Sequence, residues 1–436
     1  MTQHRTGLPE AGTAVPRGTP DFHYRDGALY AEGVPLAELA GRLGTPLYVY
    51  SRAALRAAWD AYRQAIDSRN VLVCYGMKAN SSLAVLKEFA SLGAGFDIVS
   101  GGELARVLAA GGDPARVVFS GVGKQEWEMR AALAAGVKCF NVESLPELRL
   151  LSRVAAQSGS KAPVSLRVNP DVDAQTHPYI STGLKENKFG IAIDTARAAY
   201  REAAGLPGIE VVGVDCHIGS QITEVGPYLD ALDKLLDLID LLVADGTAIE
   251  HLDLGGGLGI RYQDETPLAP AALLDRVFER LAARKLDHLQ ICLEPGRSLV
   301  GNAGVLLTRV QYLKHTQARD FAIVDAAMND MLRPALYEAW HGVLPVTPRS
   351  DAPLRRYDVV GPVCESADWL ARERELALHE GDLLAIDSAG AYGFVMAGNY
   401  NSRPRPAEVM VDGERHHLIR QRETLEDLIR GESVLP

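Results

Sequence analysis

The segment VLVCYGMKAN, residues 71–80, ends an apolar run in one lysine, Lys78, with no other charge in the stretch. That lysine reads in two ways. It is a side chain that has snorkelled to the rim of the fold, or an amine that desolvation turns nucleophilic, as a Schiff base with an aldehyde requires. LDLGGGLGI carries three consecutive glycines, Gly255, Gly256 and Gly257. They form either a tight turn or a row of backbone N–H groups suited to a phosphate. LQICLEPGR ends another apolar run in Glu294, and a buried carboxylate is costly unless a cation or a protonated heterocycle faces it. CHIGS adds His217, a satisfied core histidine or a catalyst, and Ser220, a hydroxyl three residues on.

These residues act together only if the fold gathers them. From residue 71 the chain alternates short β-type runs with helix-period stretches. The runs are VLVCY (71–75), FDIVS (96–100), VVFSG (117–121), KCFNVE (138–143), VSLRVN (164–169), VVGVDCHI (211–218), HLDLG (251–255) and LQICLEP (289–295). Between them lie amphipathic segments such as SSLAVLKEFASLGAG. There Leu83, Leu86 and Phe89 share a face, Ser81 or Ser82 is available as N-cap, and Gly93 is a stop. Eight βα units predict a (β/α)8 TIM-type barrel over 51–305, with a doubly wound open sheet as the alternative. In a barrel the active site lies at the C-terminal strand ends, which is where Lys78, Asp97, His217, Ser220, Gly255–Gly257, Glu294, Gly296 and Arg297 fall. An amine for an aldehyde, glycines for a phosphate and a carboxylate for a pyridinium, on three strands of one barrel, describe a pyridoxal 5'-phosphate site.

Beyond about residue 305 the β-type runs continue without helical alternation, which predicts a second domain, a β-sandwich or β-barrel, over 306–436. Residues 21–50, with an Asp26-Gly27 turn between β-type residues, add strands to it. Residues 341–357 read as a loop. Residues 1–20 are rich in Pro and Gly, have no apolar secretion-signal core, and read as a disordered lead-in.

The formal net charge of −11 argues against a nucleic-acid binder, which needs a basic face. No apolar run approaches the roughly 20 residues that span a bilayer. The five cysteines are scattered without a C-x-x-C pair, as in a reduced cytoplasmic protein. No metal-ligand spacing is present.

Longer motifs carry a resemblance. YGMKAN, GFDIVSGGEL, RVNPDVDAQTHPYISTGLKENKFGI, CHIGSQI, LDLGGGLGI and LEPGRSLVGNAG resemble the fold-type III pyridoxal-phosphate decarboxylases. VDAAMNDMLRPALYEAWH, VVGPVCESADWL and SAGAYGFVMAGNYNSRPRPAEVMVDG are similar to their diaminopimelate decarboxylase branch. The resemblance runs from about residue 25 to the C-terminus.

It implies a homodimer with active sites at the interface, acting on a small amino acid and converting meso-2,6-diaminopimelate to L-lysine and CO2 through a quinonoid. Lys78 would carry the cofactor, oriented by Asp97, with His217 stacked on the ring. Ser220, Gly255–Gly257 and the backbone at Gly296 and Arg297 would hold the phosphate. Glu294 would face the pyridine nitrogen, where a fold-type III racemase is expected to have an arginine. Arg297, Arg333 and Tyr337 would take the substrate's distal carboxylate and Glu365 its distal ammonium. Tyr392 would touch both phosphate and substrate, and Cys364 would protonate the α-carbon from the other subunit. For Arg333 and Glu365 the competing reading is a surface ion pair; for Cys364 it is a core residue. Asp215 has no assigned role. The rival activities are decarboxylation of D-ornithine or D-lysine, a polyamine precursor or a carrier-bound amino acid, and, from another class, non-catalytic cofactor binding.

Overall fold

A computed structural model describes residues 16, 18–173 and 187–436, so the lead-in lies largely outside the described residues. The chain divides into two compact units. One comprises Ala57–Ile260 with Thr266–Leu299; the other comprises Met1–Arg56, Arg261–Glu265 and Val300–Pro436.

The first unit is a closed parallel barrel. Its strands are β1 (Val71–Gly76), β2 (Gly95–Ile98), β3 (Val117–Phe119), β4 (Cys139–Val142), β5 (Ala162–Asn169), β6 (Ile209–Asp215), β7 (His251–Asp253) and β8 (Gln290–Leu293). Each pairs with the next, and β8 pairs back onto β1 with Leu293 opposite Val73. That last pairing excludes the open sheet, whose first and last strands would be edges. The strands read as apolar runs because both of their faces are covered. Inside, Leu72, Cys74, Val118, Cys139, Val212 and Cys292 pack together.

Helices of nine or more residues follow the first seven strands: α1 (Leu83–Ser91), α2 (Gly101–Ala109), α3 (Glu126–Ala135), α4 (Leu145–Gln157), α5 (Ile193–Gly205), α6 (Gly226–Ala244) and α7 (Pro270–Ala283). Ser100 and Ser144 cap α2 and α4 by accepting the N–H of Glu103 and Glu147. On α1 the expectation needs correction. Leu86 and Phe89 are buried, but Leu83, in the first turn, is 46% exposed, and Ser82 makes no capping bond.

The second unit is β-rich. Strand Gly304–His315 pairs with Leu47–Ser51, Asp320–Val324 and Leu383–Ile386. Leu47–Ser51 in turn pairs in parallel with Ala407–Asp412. Two apolar cores form, one around Tyr48, Tyr50, Tyr357 and Ile386, the other around Leu29, Leu47, Val305 and Val409. The Asp26-Gly27 hairpin forms as expected, with both turn residues at positive φ (52° and 74°) between strands Phe22–Arg25 and Ala28–Ala31. The stretch 341–357 is not all loop: Val343–Pro345 pairs with Leu383–Ile386, a strand too short to stand out in the sequence. Among the described residues no helix is long and apolar enough to cross a membrane.

Candidate active site

The C-terminal ends of the barrel strands converge. After β1 the chain makes one tight turn, Met77–Ala79. There Lys78 Nζ donates to Asp97 Oδ2 of β2 at 2.6 Å, with 35% of its side chain exposed and Asp97 fully buried. A second lysine beneath the mouth serves as a foil. Lys124, after β3, has a side chain with no exposure and gives its protons to Gly121 O, Asn141 O and Glu147 Oε1 at 2.7–2.8 Å. Lys124 is saturated and enclosed, a brace between strand ends. Lys78 is reachable.

The glycine loop explains its composition by contact. A Cβ on Gly255 would stand 2.6 Å from Cys216 O, one on Gly256 2.2 Å from Glu294 O, and one on Gly257 2.6 Å from Gly219 O. No larger residue fits, and Gly255 and Gly257 also have positive φ. The N–H groups are partly committed. Gly255 donates to Asp253 Oδ1 at 2.9 Å and Gly256 to His217 Nδ1 at 3.1 Å. Two of the three amides expected to face a phosphate thus already have acceptors within the protein. Across the loop, Arg297 Nη2 and Nε reach Ser220 Oγ at 3.0 and 3.3 Å, and a Cβ on Gly296 would meet Gly76 O at 2.8 Å.

His217 is half-buried at the mouth. Because its Nδ1 accepts the Gly256 N–H, the neutral ring carries its proton on Nε2. Burial, then the charges of Arg167 and Lys78, hold its pKa well below the usual histidine value, so the neutral form is the stable one.

Glu294, at the end of β8, is 5% exposed; its Oε1 accepts from Ser120 Oγ and Asn141 Nδ2, both at 3.3 Å. Burial, then Asp253, Asp97 and Asp215, push its carboxyl well above the carboxylate range. Asp215 and Asp253 lie with it, one oxygen from each of the three within 4.8 Å of the others. Sequence reasoning left Asp215 without a role and missed Asp253. Their separation along the chain hides what strand register creates.

The site fits pyridoxal phosphate. A reachable amine, a cradle that any Cβ would fill and a buried carboxylate with no ion pair among the described residues suit its aldehyde, phosphate and ring nitrogen.

Of the residues expected at the substrate, Arg333, Tyr337, Cys364, Glu365 and Tyr392 belong to the β-rich unit. Arg333 is 7% exposed on the short helix Arg333–Tyr337. Its Nη1 donates to Tyr262 OH at 2.8 Å and His341 Nε2 at 3.0 Å, and the guanidinium lies over the Tyr262 ring at 4.9 Å. Glu365 is exposed and accepts from Tyr400 OH, so the surface ion pair between Arg333 and Glu365 does not form. Cys364 is exposed, unlike the four buried cysteines, so it is not a core residue; its N–H donates to Asn401 Oδ1 at 3.0 Å. Tyr392 sits at φ 55° in the Gly390–Gly393 turn, and Tyr337 is half-buried. The sequence reading missed Tyr262 and His341, which orient Arg333.

Comparison with known proteins decides the family. Residues 52–301 match the pyridoxal-dependent decarboxylase, pyridoxal binding domain. The chain is 64% identical over 415 residues to the diaminopimelate decarboxylase of Pseudomonas aeruginosa, covering 95% of this chain and 99% of that one. The chain belongs to the diaminopimelate decarboxylase family. Its relative in Vibrio cholerae is 58% identical over 416 residues, with 95% and 99% covered. Among solved structures, the diaminopimelate decarboxylase of M. jannaschii in co-complex with L-lysine superposes with a TM-score of 0.91 at 39% identity, covering 96% of this chain and 98% of that one. The barrel with a separate β-rich domain is thus the fold of the family as well as of this chain.

Proposed function

We propose that the chain decarboxylates meso-2,6-diaminopimelate to L-lysine and CO2 as a cytoplasmic homodimer using pyridoxal 5'-phosphate. The observation that carries the reading is Glu294: a buried carboxylate without its own cation, in one barrel mouth with the reachable Lys78. When bound, the cofactor supplies an aldehyde that joins the substrate amine and a protonated ring that accepts the electron pair released with CO2.

The protein's part follows from its residues. Asp97 holds Lys78 Nζ in place, and that amine would carry the cofactor. Glu294 would hold a proton on the ring nitrogen by charge, where an arginine would repel it. The neutral His217 imidazole would stack on the ring without adding charge. Ser220, the Gly257 amide and the Gly296–Arg297 backbone would hold the phosphate, with room from Gly255 and Gly256, and Tyr392 would be a further phosphate partner. Arg333 and Tyr337, with Arg297, hold the distal carboxylate, and a planar guanidinium fixes its direction as well as its charge. Glu365 takes the distal ammonium. Cys364 Sγ, from the other subunit, gives a proton to the α-carbon.

The test is CO2 and L-lysine release from meso-diaminopimelate with pyridoxal phosphate added and omitted. Comparable kcat/KM for D-lysine would refute the substrate assignment, and a folded enzyme that takes up no pyridoxal phosphate would refute the cofactor.

A further inference from the structure

Beneath Glu294 the barrel holds more acid than a ring partner needs. Asp215 and Asp253 are register partners on β6 and β7. Asp253 is in register with Cys292 of β8, so Glu294, two residues on, shares its face one step nearer the mouth. All three are 5% exposed or less. The surrounding elements bring Lys78, Asp97 of β2, Ser120 after β3, Asn141 of β4 and Arg167 of β5. Both cations already have carboxylates: Lys78 has Asp97 at 2.6 Å and Arg167 has Glu143 at 3.1 Å. Three ionised carboxylates this close, out of water and without a dedicated cation, repel one another too strongly to coexist, so the cluster retains protons. The two oxygens of Asp253 have different fates. Oδ1 accepts the Gly255 N–H at 2.9 Å. Oδ2 is buried and completes no hydrogen bond among the described residues, and the Asp253 carboxyl has the Glu294 carboxyl and then the Asn141 side-chain amide within reach. Asn141 Nδ2 is already engaged with Glu294 Oε1 at 3.3 Å, and where two carboxyl oxygens face each other a proton between them turns repulsion into a hydrogen bond.

We infer that Asp253 is the positioning residue for Glu294: the two carboxyls share one proton, which settles on Asp253 when Glu294 takes its charge opposite the cofactor ring. Asp253 then donates to Glu294 and fixes its direction without placing a second negative charge beside it. Through Oδ1 the same side chain ties down the glycine loop, so one aspartate sets the ring end and the phosphate end of the cradle. The inference rests on Glu294 being the ring partner.

Infrared spectra of the enzyme stripped of cofactor and reconstituted with pyridoxal phosphate test it. Wild type should show a protonated-carboxyl band that moves on exchange into D2O and shifts when pyridoxal phosphate binds. The band should be absent from both Asp253→Asn and Glu294→Gln and remain in Asp215→Asn. Asp253→Asn, whose amide can donate to Glu294 and accept from Gly255, should keep near-wild-type cofactor affinity, while Asp253→Leu should weaken it roughly 10–100-fold. The band surviving in Asp253→Asn overturns the inference, and if that variant does not fold, survival in Glu294→Gln does the same. Stoichiometric binding of Mg2+ or Mn2+ by the stripped enzyme, lost in these variants, would overturn it in favour of a metal site. Failure of wild type to take up pyridoxal phosphate or release CO2 would instead refute the reading of Glu294.

Discussion

Gly256→Ala is the sharpest mechanical test of the barrel mouth. The added Cβ would stand 2.2 Å from Glu294 O and 3.0 Å from Glu294 C, whereas ordinary contact begins at 3.4 Å. Something must yield by more than 1 Å, and the obstructing atoms are backbone, with no rotamer to turn. The yielding group is either the glycine loop or the backbone of Glu294. Overpacking of this kind costs about 1–3 kcal/mol of stability. A 1 Å misplacement at a reacting centre costs on the order of 100-fold in rate. Cofactor affinity by fluorescence titration, melting temperature and kcat should therefore all fall together. Gly102→Ala is the control, because its nearest neighbour, Ser100 Oγ, is 3.8 Å from the new Cβ, and it should leave all three near wild type. A Gly256→Ala enzyme with wild-type affinity and melting temperature would refute the tight packing of the loop on β8.

The two lysines of the mouth should separate cleanly. Lys78→Ala should fold normally but lose activity and the visible absorbance of bound cofactor. Lys124→Met, which strands the buried Glu147, should cost about 3–5 kcal/mol and lower the melting temperature by roughly 10 °C in calorimetry. Arg333→Ala should reduce kcat/KM for meso-diaminopimelate by about 30-fold or more, and should leave any residual turnover of D-lysine, which has no distal carboxylate, unchanged. His251 supplies a pH test. Burial lowers its pKa from 6.5 to about 4, so the unfolded chain binds a proton there that the folded protein refuses. Stability is therefore intact above pH 6.5 and lost as pH falls toward 4. Between pH 7.5 and 5 the wild type should lose about 2 kcal/mol more than His251→Gln in urea denaturation; equal losses would show that His251 is not the group.

The eight barrel strands were legible in the sequence because a parallel strand covered on both faces is an apolar run, and the runs recur with helices between them. Lys78, His217, Glu294 and the three glycines were legible because strand ends are where a barrel places chemistry. Their bonding was not. That the amides of Gly255 and Gly256 point at Asp253 and His217, rather than standing open, depends on how two loops stack across adjacent strands. That Arg333 is buried against Tyr262 and His341, with Glu365 exposed and turned to Tyr400, depends on contacts between residues up to 71 positions apart. Leu83 shares the helical spacing of Leu86 and Phe89, yet it is exposed, because the buried face of α1 runs through Val85, Leu86, Glu88 and Phe89. Asp215 shows the division most clearly. Its type and place on a strand are plain in the sequence. Its meaning arises only when register sets it beside Asp253 and brings Glu294 close above, because the repulsion among three buried carboxyls depends on distances that only the closed barrel creates.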